Sequence, residues 1–474
     1  MSAALTKSRY PDRSVLILES HTDVGGCAGC FERAIKLPGY DTRQTVRFDV
    51  GATTLSALGE GQSLHRLIKE LGISLPATLA DPGLRVVMGD GTVVTRYADN
   101  KRWYEESAKH FGEASVVLWQ KLEAIESASW KLLQHFPRFP PASLADALSL
   151  IKPQAALGLS ALRNMHAPFE KMLVDHGLAQ DMRLRSFLDQ LLLVSTQTSS
   201  DRVSILAAAL GLIYPSQTYY LDGGAYTLSS ELLKRYLQLG GEIKFKQRVE
   251  RIDPRTLVVT TQRASFAAKR VISNATLWNT ATMLGNPSHK YFHKWDAAIE
   301  GDDVWGANAY YAVVEDTVGR SAFFHQLHAD NGSIFVSLSR VGDASKAPTG
   351  YRTLSVSAHE ADPARWFKYS EEEYSARKAE LQSWFEEILS AKLEGFDRSK
   401  THSVFVSTPR SFEFYTRRRL GLAGGVAYKA GRLPWHWPSP VSPVNGLYLV
   451  GDTIFPGQSA GAVAQCALSL VARS

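Results

Sequence analysis

An acid that closes a short apolar run, with two adjacent glycines a few residues on, is able to grip the adenosine half of a dinucleotide. Here the run is Ser14-Val-Leu-Ile-Leu-Glu19 and the glycines are Gly25-Gly26. In a dinucleotide-binding unit the second strand ends in an acid whose carboxylate accepts hydrogen bonds from the ribose hydroxyls. Residues without a Cβ let the backbone come close to a diphosphate. A third element stands at the far end of the chain, where Leu447-Tyr-Leu-Val450 runs into Gly451-Asp452. An acid after a buried strand suits the ribityl hydroxyls of a flavin. A helix beginning just beyond it aims backbone N–H groups at the diphosphate or the flavin ring, and Gly457 and Gly461 let that helix start close by. Singly, these are an exposed glutamate, a tight turn and a strand-to-helix connection. In this order, at opposite ends of one chain, they point to bound FAD.

Other reactive residue types offer less. Cys27-Ala28-Gly29-Cys30 has C-x-x-C spacing, but it sits inside the glycine-rich turn with no thioredoxin-like context. Further ligands at zinc-site spacing are absent from the sequence, so no metal is expected. With Cys466 the chain has three cysteines, which cannot build a disulfide framework and suit a reducing compartment. None of the 13 histidines stands out; His166, His325 and His436 read as structural or surface residues. Neither a Ser-His-Asp set nor a carboxylate pair is evident, and no catalytic group is assigned. That is expected where a cofactor carries the chemistry and the protein binds and orients.

The elements that must position these residues follow from length, composition and periodicity. The 474 residues suffice for two or three domains, and 45% hydrophobic with 21% charged residues is an ordinary globular balance. The net charge of +6 is mild; it suits an anionic lipid surface or a phosphate-bearing cofactor and gives no case for nucleic acid. The longest apolar run, Ile205 to Tyr214, is about half of what a bilayer span needs. Residues 57–200 are expected to be mainly helical, with Val116, Leu122, Ile125, Leu132, Leu133 and Phe136 at helical spacing. Leu228 to Leu239 is expected as an amphipathic helix stopped at Gly240-Gly241. Ile243 to Ile252, Leu257 to Thr261 and Arg270 to Asn274 are expected as strands, Glu371 to Leu393 and Ala460 to Val471 as helices.

With these motifs in place, the chain resembles the phytoene desaturase and carotenoid isomerase branch of the FAD-dependent amine-oxidase superfamily. Val15-Leu-Ile-Leu-Glu19 with Val24-Gly-Gly-Cys-Ala28 is similar to the family's ribose-binding strand and glycine doublet, and Cys27-Ala28 to its carotenoid branch. Amine oxidases more usually carry an arginine after the doublet. Asp222-Gly-Gly224, Gly240-Gly-Glu-Ile243 and Val249-Glu-Arg-Ile252 resemble the middle FAD segment, where the resemblance places Val249 against the adenine region. Val271-Ile-Ser-Asn-Ala275, Thr408-Pro-Arg-Ser-Phe412, Gly424-Gly425 and Leu447 to Gly457 resemble the later family segments.

The resemblance implies an α/β fold: a Rossmann-like FAD-binding domain from residues 1–58, 215–283 and 431–474, with a mixed α+β substrate domain from a largely helical 59–214 and from 284–430. It implies an FAD-dependent oxidoreductase that desaturates an acyclic carotenoid by hydride transfer to flavin. The alternatives are a carotenoid cis–trans isomerase using reduced FAD, and a truncated pseudoenzyme that binds lipid or a partner. A cytoplasmic protein in peripheral contact with a membrane is expected. Basic residues Lys152, Arg163, His166 and Lys171 among apolar ones suit an interfacial helix, and equally a solvated face. Arg417-Arg418-Arg419 reads by default as a solvated basic turn.

One departure from the family is large. Its opening strand and G-x-G-x-x-G turn place the first glycine roughly 20 residues before the ribose acid. Counting back from Glu19 passes Met1, and Ser2 to Arg9 reads as the second half of the helix after that turn. The first strand and phosphate loop are thus expected to be missing from the chain as given. The intact remaining motifs favour an internal Met1 over a degenerate copy.

Overall fold

The computed structural model describes residues 1–149, 166–285, 291–293, 295, 303–330, 332–432 and 436–473. The apolar run before Glu19 forms β1 (Leu16–Leu18), which pairs in parallel with β8 (Glu242–Lys244). A second parallel pair joins β12 (Val271–Ser273) to β18 (Leu447–Leu449). A small antiparallel sheet holds β9 (Val249–Ile252), β10 (Val258–Thr261) and β11 (Ser265–Ala267).

Helices α1 (Ser2–Arg9), α2 (Ser63–Leu71), α7 (Ala225–Gln238) and α10 (Ala460–Val471) gather beside these strands. Their common core includes Leu5, Leu64, Leu67, Leu228, Tyr236, Ala464 and Leu468. Tyr236 does more than fill space. Its hydroxyl lies 2.7 Å from the Val15 carbonyl oxygen and 2.9 Å from that of Glu242, tying α7 to β1 and β8. The chain turns directly beneath its ring: a Cβ on Gly241 would stand 2.1 Å from it, so only glycine fits there.

The second half of the molecule is a seven-stranded sheet in the order β17-β13-β16-β15-β14-β5-β6. Its members are β5 (Leu84–Val87), β6 (Val93–Arg96), β13 (Gly306–Glu315), β14 (Phe324–Ala329), β15 (Gly332–Leu338), β16 (Tyr351–Glu360) and β17 (His402–Ser407). On one face α8 (Glu371–Lys392) packs Phe385, Ile388 and Leu389 onto Tyr310, Leu354 and Val356. The period of two along a strand turns Ala309 and Tyr311 of β13 and Ser355, Ser357 and His359 of β16 to a cavity. A helical layer of α3 (Asn100–Phe111), α4 (Glu113–His135), α5 (Met182–Thr196) and α6 (Ile205–Ile213) closes around Trp103, Trp119, Phe187 and Leu206.

Two sequence expectations change. Ile243 to Ile252 is not one strand: β8 and β9 belong to different sheets, and between them Lys246 takes a left-handed φ of 55° that breaks the run. The helical stretch is also interrupted between residues 77 and 96. There β4 (Ala77–Leu79) pairs with β7 (Tyr219–Leu221), and β5 and β6 form a hairpin about Gly89-Asp90-Gly91. That turn dipeptide was a hairpin signal, masked by the longer helical pattern around it. Lys152 and Arg163 lie outside the described residues. Among the described residues no helix is long and apolar enough to cross a membrane.

Candidate functional site

One cavity of about 2770 Å³ runs between the two halves. That is well above the ~300–1,000 Å³ of a drug-sized ligand pocket, which gives space for a dinucleotide together with a long substrate. Glu19, Gly25, Gly26, Cys27, Ala28, Val249, Gly451, Asp452 and Gly461 all line it, although they come from three distant parts of the chain.

Glu19 stands at the carboxyl end of β1, its backbone held between Lys244 and Gln247. One carboxylate oxygen accepts the His21 N–H at 2.9 Å and the Ser20 hydroxyl at 3.2 Å, which fixes its direction. Glu19→Ala should weaken FAD binding about 10- to 100-fold, the loss of one or two charge-assisted hydrogen bonds. Equilibrium titration by flavin fluorescence measures it, and an unchanged affinity would take Glu19 out of the site.

The two glycines differ. Gly25 has φ +117°, and a Cβ there would lie 2.7 Å from Gly29 Cα and 2.9 Å from the Ala28 carbonyl oxygen. Its role is to let the turn close on itself. Gly26, at φ +54°, has no atom within 4 Å of a built Cβ. Its open side is the kind of surface a diphosphate can approach, and this is where the residues present fit a dinucleotide. Val249 opens β9 and is half-buried.

At the C-terminal end, Gly451 (φ +111°) turns the chain out of β18 beneath Asn274. Ser459 caps α10 through the Ala462 N–H at 3.1 Å. Gly461 is demanded by packing, since its Cβ would stand 2.4 Å from that of Ala57. Gly457 lines a neighbouring recess, where a Cβ would overlap the Tyr428 hydroxyl.

The arginine triplet is corrected by the structure. Arg417 and Arg419 are exposed, but Arg418 turns inward. Its guanidinium donates to Asp452 at 2.9 and 3.1 Å, to the Leu422 and Gly424 carbonyls at 2.6 and 2.7 Å, and reaches the Cys27 sulfur at 3.9 Å. Burial works against this charge, but Asp452 and Cys27 outweigh it, and the group is held above its ordinary range. A guanidinium from residue 418 thus stands beside Cys27, the residue that follows the glycine doublet. Nothing in the local sequence separates Arg418 from its two neighbours.

Cys27, Cys30 and Cys466 are free. Burial is the largest influence on both Cys27 and Cys30 and pushes each thiol up, the reverse of a reactive thiolate. Among the described residues no group of three or more potential ligands could hold a metal ion. His325 is buried and burial lowers it to about 4, as for a core histidine, while His166 and His436 are exposed.

Two titratable residues on the cavity wall had no sequence signal. His359 faces the cavity from β16, and burial lowers it to about 4, so its ring is neutral near pH 7. Glu126 of α4 accepts the Trp130 indole N–H at 2.5 Å, and burial lifts it to about 7. Its folded pKa is raised, so the folded state holds the extra proton. Stability should therefore fall as pH rises from about 4.5 to 7, by about 3 kcal/mol in total. Glu126→Gln should flatten that slope in denaturant melts taken across the window; an unchanged slope would assign it to another group.

Comparison with known proteins agrees with this geometry. The sequence pattern of the NAD(P)-binding Rossmann-like domain family matches residues 1–71. Prolycopene isomerase 2, chloroplastic, of an Oncidium hybrid cultivar is 25% identical over 97% of this chain and 79% of its own length. Prolycopene isomerase, chloroplastic, of Arabidopsis thaliana is 25% identical over 97% of this chain and 78% of its own. A solved putrescine oxidase redesigned in its cofactor binding superposes with a TM-score of 0.64 at 15% identity, covering 100% of this chain and 96% of that one. The fold is thus that of proteins with a Rossmann-like dinucleotide-binding domain. Over 97% of its length the chain is similar in sequence to these prolycopene isomerases.

Proposed function

We propose that this enzyme isomerises an acyclic carotenoid of the prolycopene type between cis and trans forms. The observation that carries the reading is likeness to prolycopene isomerases across 97% of the chain. The cavity supports it: beyond the glycine turn its wall is formed by apolar side chains such as Leu206, Leu210, Phe335, Trp437 and Phe455. The small residues Ala309, Ser355 and Ser357 leave width for a long rigid chain.

In this reading Glu19 holds the adenosine ribose, Gly25-Gly26 admit the diphosphate, and Asp452 meets the ribityl chain. Val249 lies against the adenine, and Arg418 fixes the Asp452 carboxylate. FAD held by these residues in its reduced form would supply electron donation to the polyene with no net redox change. The apolar wall aligns the polyene and keeps out water. His359, neutral near pH 7, keeps a full charge off that wall. Leu144 and Met182, 77% and 72% exposed in the helical half, support docking against a lipid surface that delivers the substrate.

Redox dependence tests this. In liposomes containing poly-cis lycopene, turnover should require reduced flavin under anaerobic conditions and stop on oxidation. Turnover that instead needs oxidised flavin and an electron acceptor points to desaturation. A colourless protein that takes up no FAD would support the pseudoenzyme.

A further inference from the structure

Helix α5 ends against the cavity, and polar side chains gather around its last turn. The His359 ring donates to the Leu193 carbonyl. The Gln458 amide donates to those of Val194 and Ser195 at 3.2 and 3.1 Å. The Ser195 and Thr196 hydroxyls donate back to Leu191 and Leu192 at 2.9 and 2.8 Å. Just beyond the helix, the Gln197 amide donates to the Ala423 carbonyl and the Tyr428 hydroxyl to that of Pro456. These six side chains all line the cavity. They also crowd together. A Cβ on Gly424 would stand 2.3 Å from Gln458 Oε1 and 2.8 Å from Gln197 Nε2, and the Tyr428 N–H reaches the Thr196 carbonyl at 3.4 Å.

The donors of this collar are spent on the main chain. A hydroxyl has one proton to give and two lone pairs, and an amide oxygen only accepts. Ser195, Thr196 and Tyr428 therefore keep only lone pairs for a ligand. Gln458 has both amide N–H groups engaged and offers Oε1 alone, while Gln197 offers Oε1 and a single remaining N–H. The His359 ring is neutral near pH 7, so with its one N–H committed to Leu193 the second nitrogen is an acceptor. The collar is thus rich in acceptors, nearly bare of donors and without charge, on a wall that is otherwise apolar.

We propose that the collar binds a hydroxyl group carried by the polyene, so that the preferred substrate is an acyclic carotenoid alcohol rather than the bare hydrocarbon. This rests on the polyene reading of the cavity and narrows it. A hydrocarbon strips the acceptors of water and returns no bond, which is the costly case for buried polar groups. A ketone or a carboxylate brings only further lone pairs. An ammonium brings a charge that nothing in the collar balances, since Asp452 nearby is already paired with Arg418. A hydroxyl meets both needs. Its proton goes to Gln458 Oε1, Gln197 Oε1 or the free nitrogen of His359. Its oxygen accepts from the Ser357 hydroxyl, which lines the cavity two residues before His359 on β16 and turns to donate.

The test compares three acyclic polyenes of equal length: a terminal alcohol, its methyl ether and the parent hydrocarbon. Each is presented in the same detergent micelles, and binding is read by quenching of tryptophan fluorescence. The alcohol should bind about tenfold tighter than either of the others, because the ether keeps the oxygen and loses the proton. Gln458→Leu and His359→Phe should each cut that advantage to about threefold or less. Equal affinity of alcohol and ether for the wild-type protein overturns the proposal whether or not these variants fold. FAD carries a donor of its own, the imide N–H of its ring, so the titrations are run without and with FAD. An advantage that survives FAD supports the proposal. One that vanishes when FAD is added would assign the collar to the flavin and overturn it. If all three polyenes bind equally, the collar fails alone; if none binds, the polyene reading fails with it.

Discussion

Replacing Arg418 by methionine is expected to abolish FAD retention and to lower stability by about 3 kcal/mol. That is the low end of the cost of removing one partner of a buried, hydrogen-bonded ion pair, in keeping with the partial exposure of Asp452. The substitution leaves the Asp452 carboxylate, 25% exposed, without its cation, and strips the Leu422 and Gly424 carbonyls of their donor. Arg418→Lys keeps the charge but not the planar fork, and should fall between wild type and methionine. The double variant R418M/D452N should lose less than the two single losses added together, because both act on one interaction. Denaturant midpoints and FAD titration read all four proteins. Strict additivity would mean that Arg418 and Asp452 act independently.

The glycine doublet offers the second large effect, and its two members should fail differently. Gly25→Ala forces a left-handed backbone onto alanine and drives a Cβ into the backbone of Gly29. The loss should be about 3 kcal/mol, already present in the apoprotein. Gly26→Ala meets open space, so the apoprotein should lose only about 1 kcal/mol for its left-handed φ. FAD affinity should nevertheless fall, because the added methyl occupies the surface offered to the diphosphate. Melting of both apoproteins, followed by FAD titration, separates the two. If Gly26→Ala binds FAD as tightly as wild type, the diphosphate does not pass over Gly26.

These contrasts show what the sequence can and cannot carry. The strand end at Glu19, the turn at Gly25-Gly26 and the turn out of a strand at Gly451-Asp452 were legible because local backbone geometry dictates their spacing. The helix Ala460–Val471 was legible from its apolar run and falls on its expected residues. Arg418 was not legible, since three consecutive arginines have the same local character and only the tertiary path selects the middle one. Glu126 and His359 come from α4 and β16, far apart in sequence, and nothing local marks either. Hairpin β5-β6 was overrun by the helical pattern around it. The interruption at Lys246 rests on a left-handed residue that composition does not announce.

An enzyme that isomerises without net redox change leaves the mass of its substrate unaltered, and product analysis reads this. The enzyme is loaded with reduced FAD, held anaerobic with liposomes carrying poly-cis lycopene, and the product is examined by mass and by geometry. The product should have unchanged mass and altered double-bond geometry, with the flavin still reduced after many turnovers. A product two hydrogens lighter, absorbing at longer wavelength and formed only with oxidised flavin and an acceptor, would contradict it.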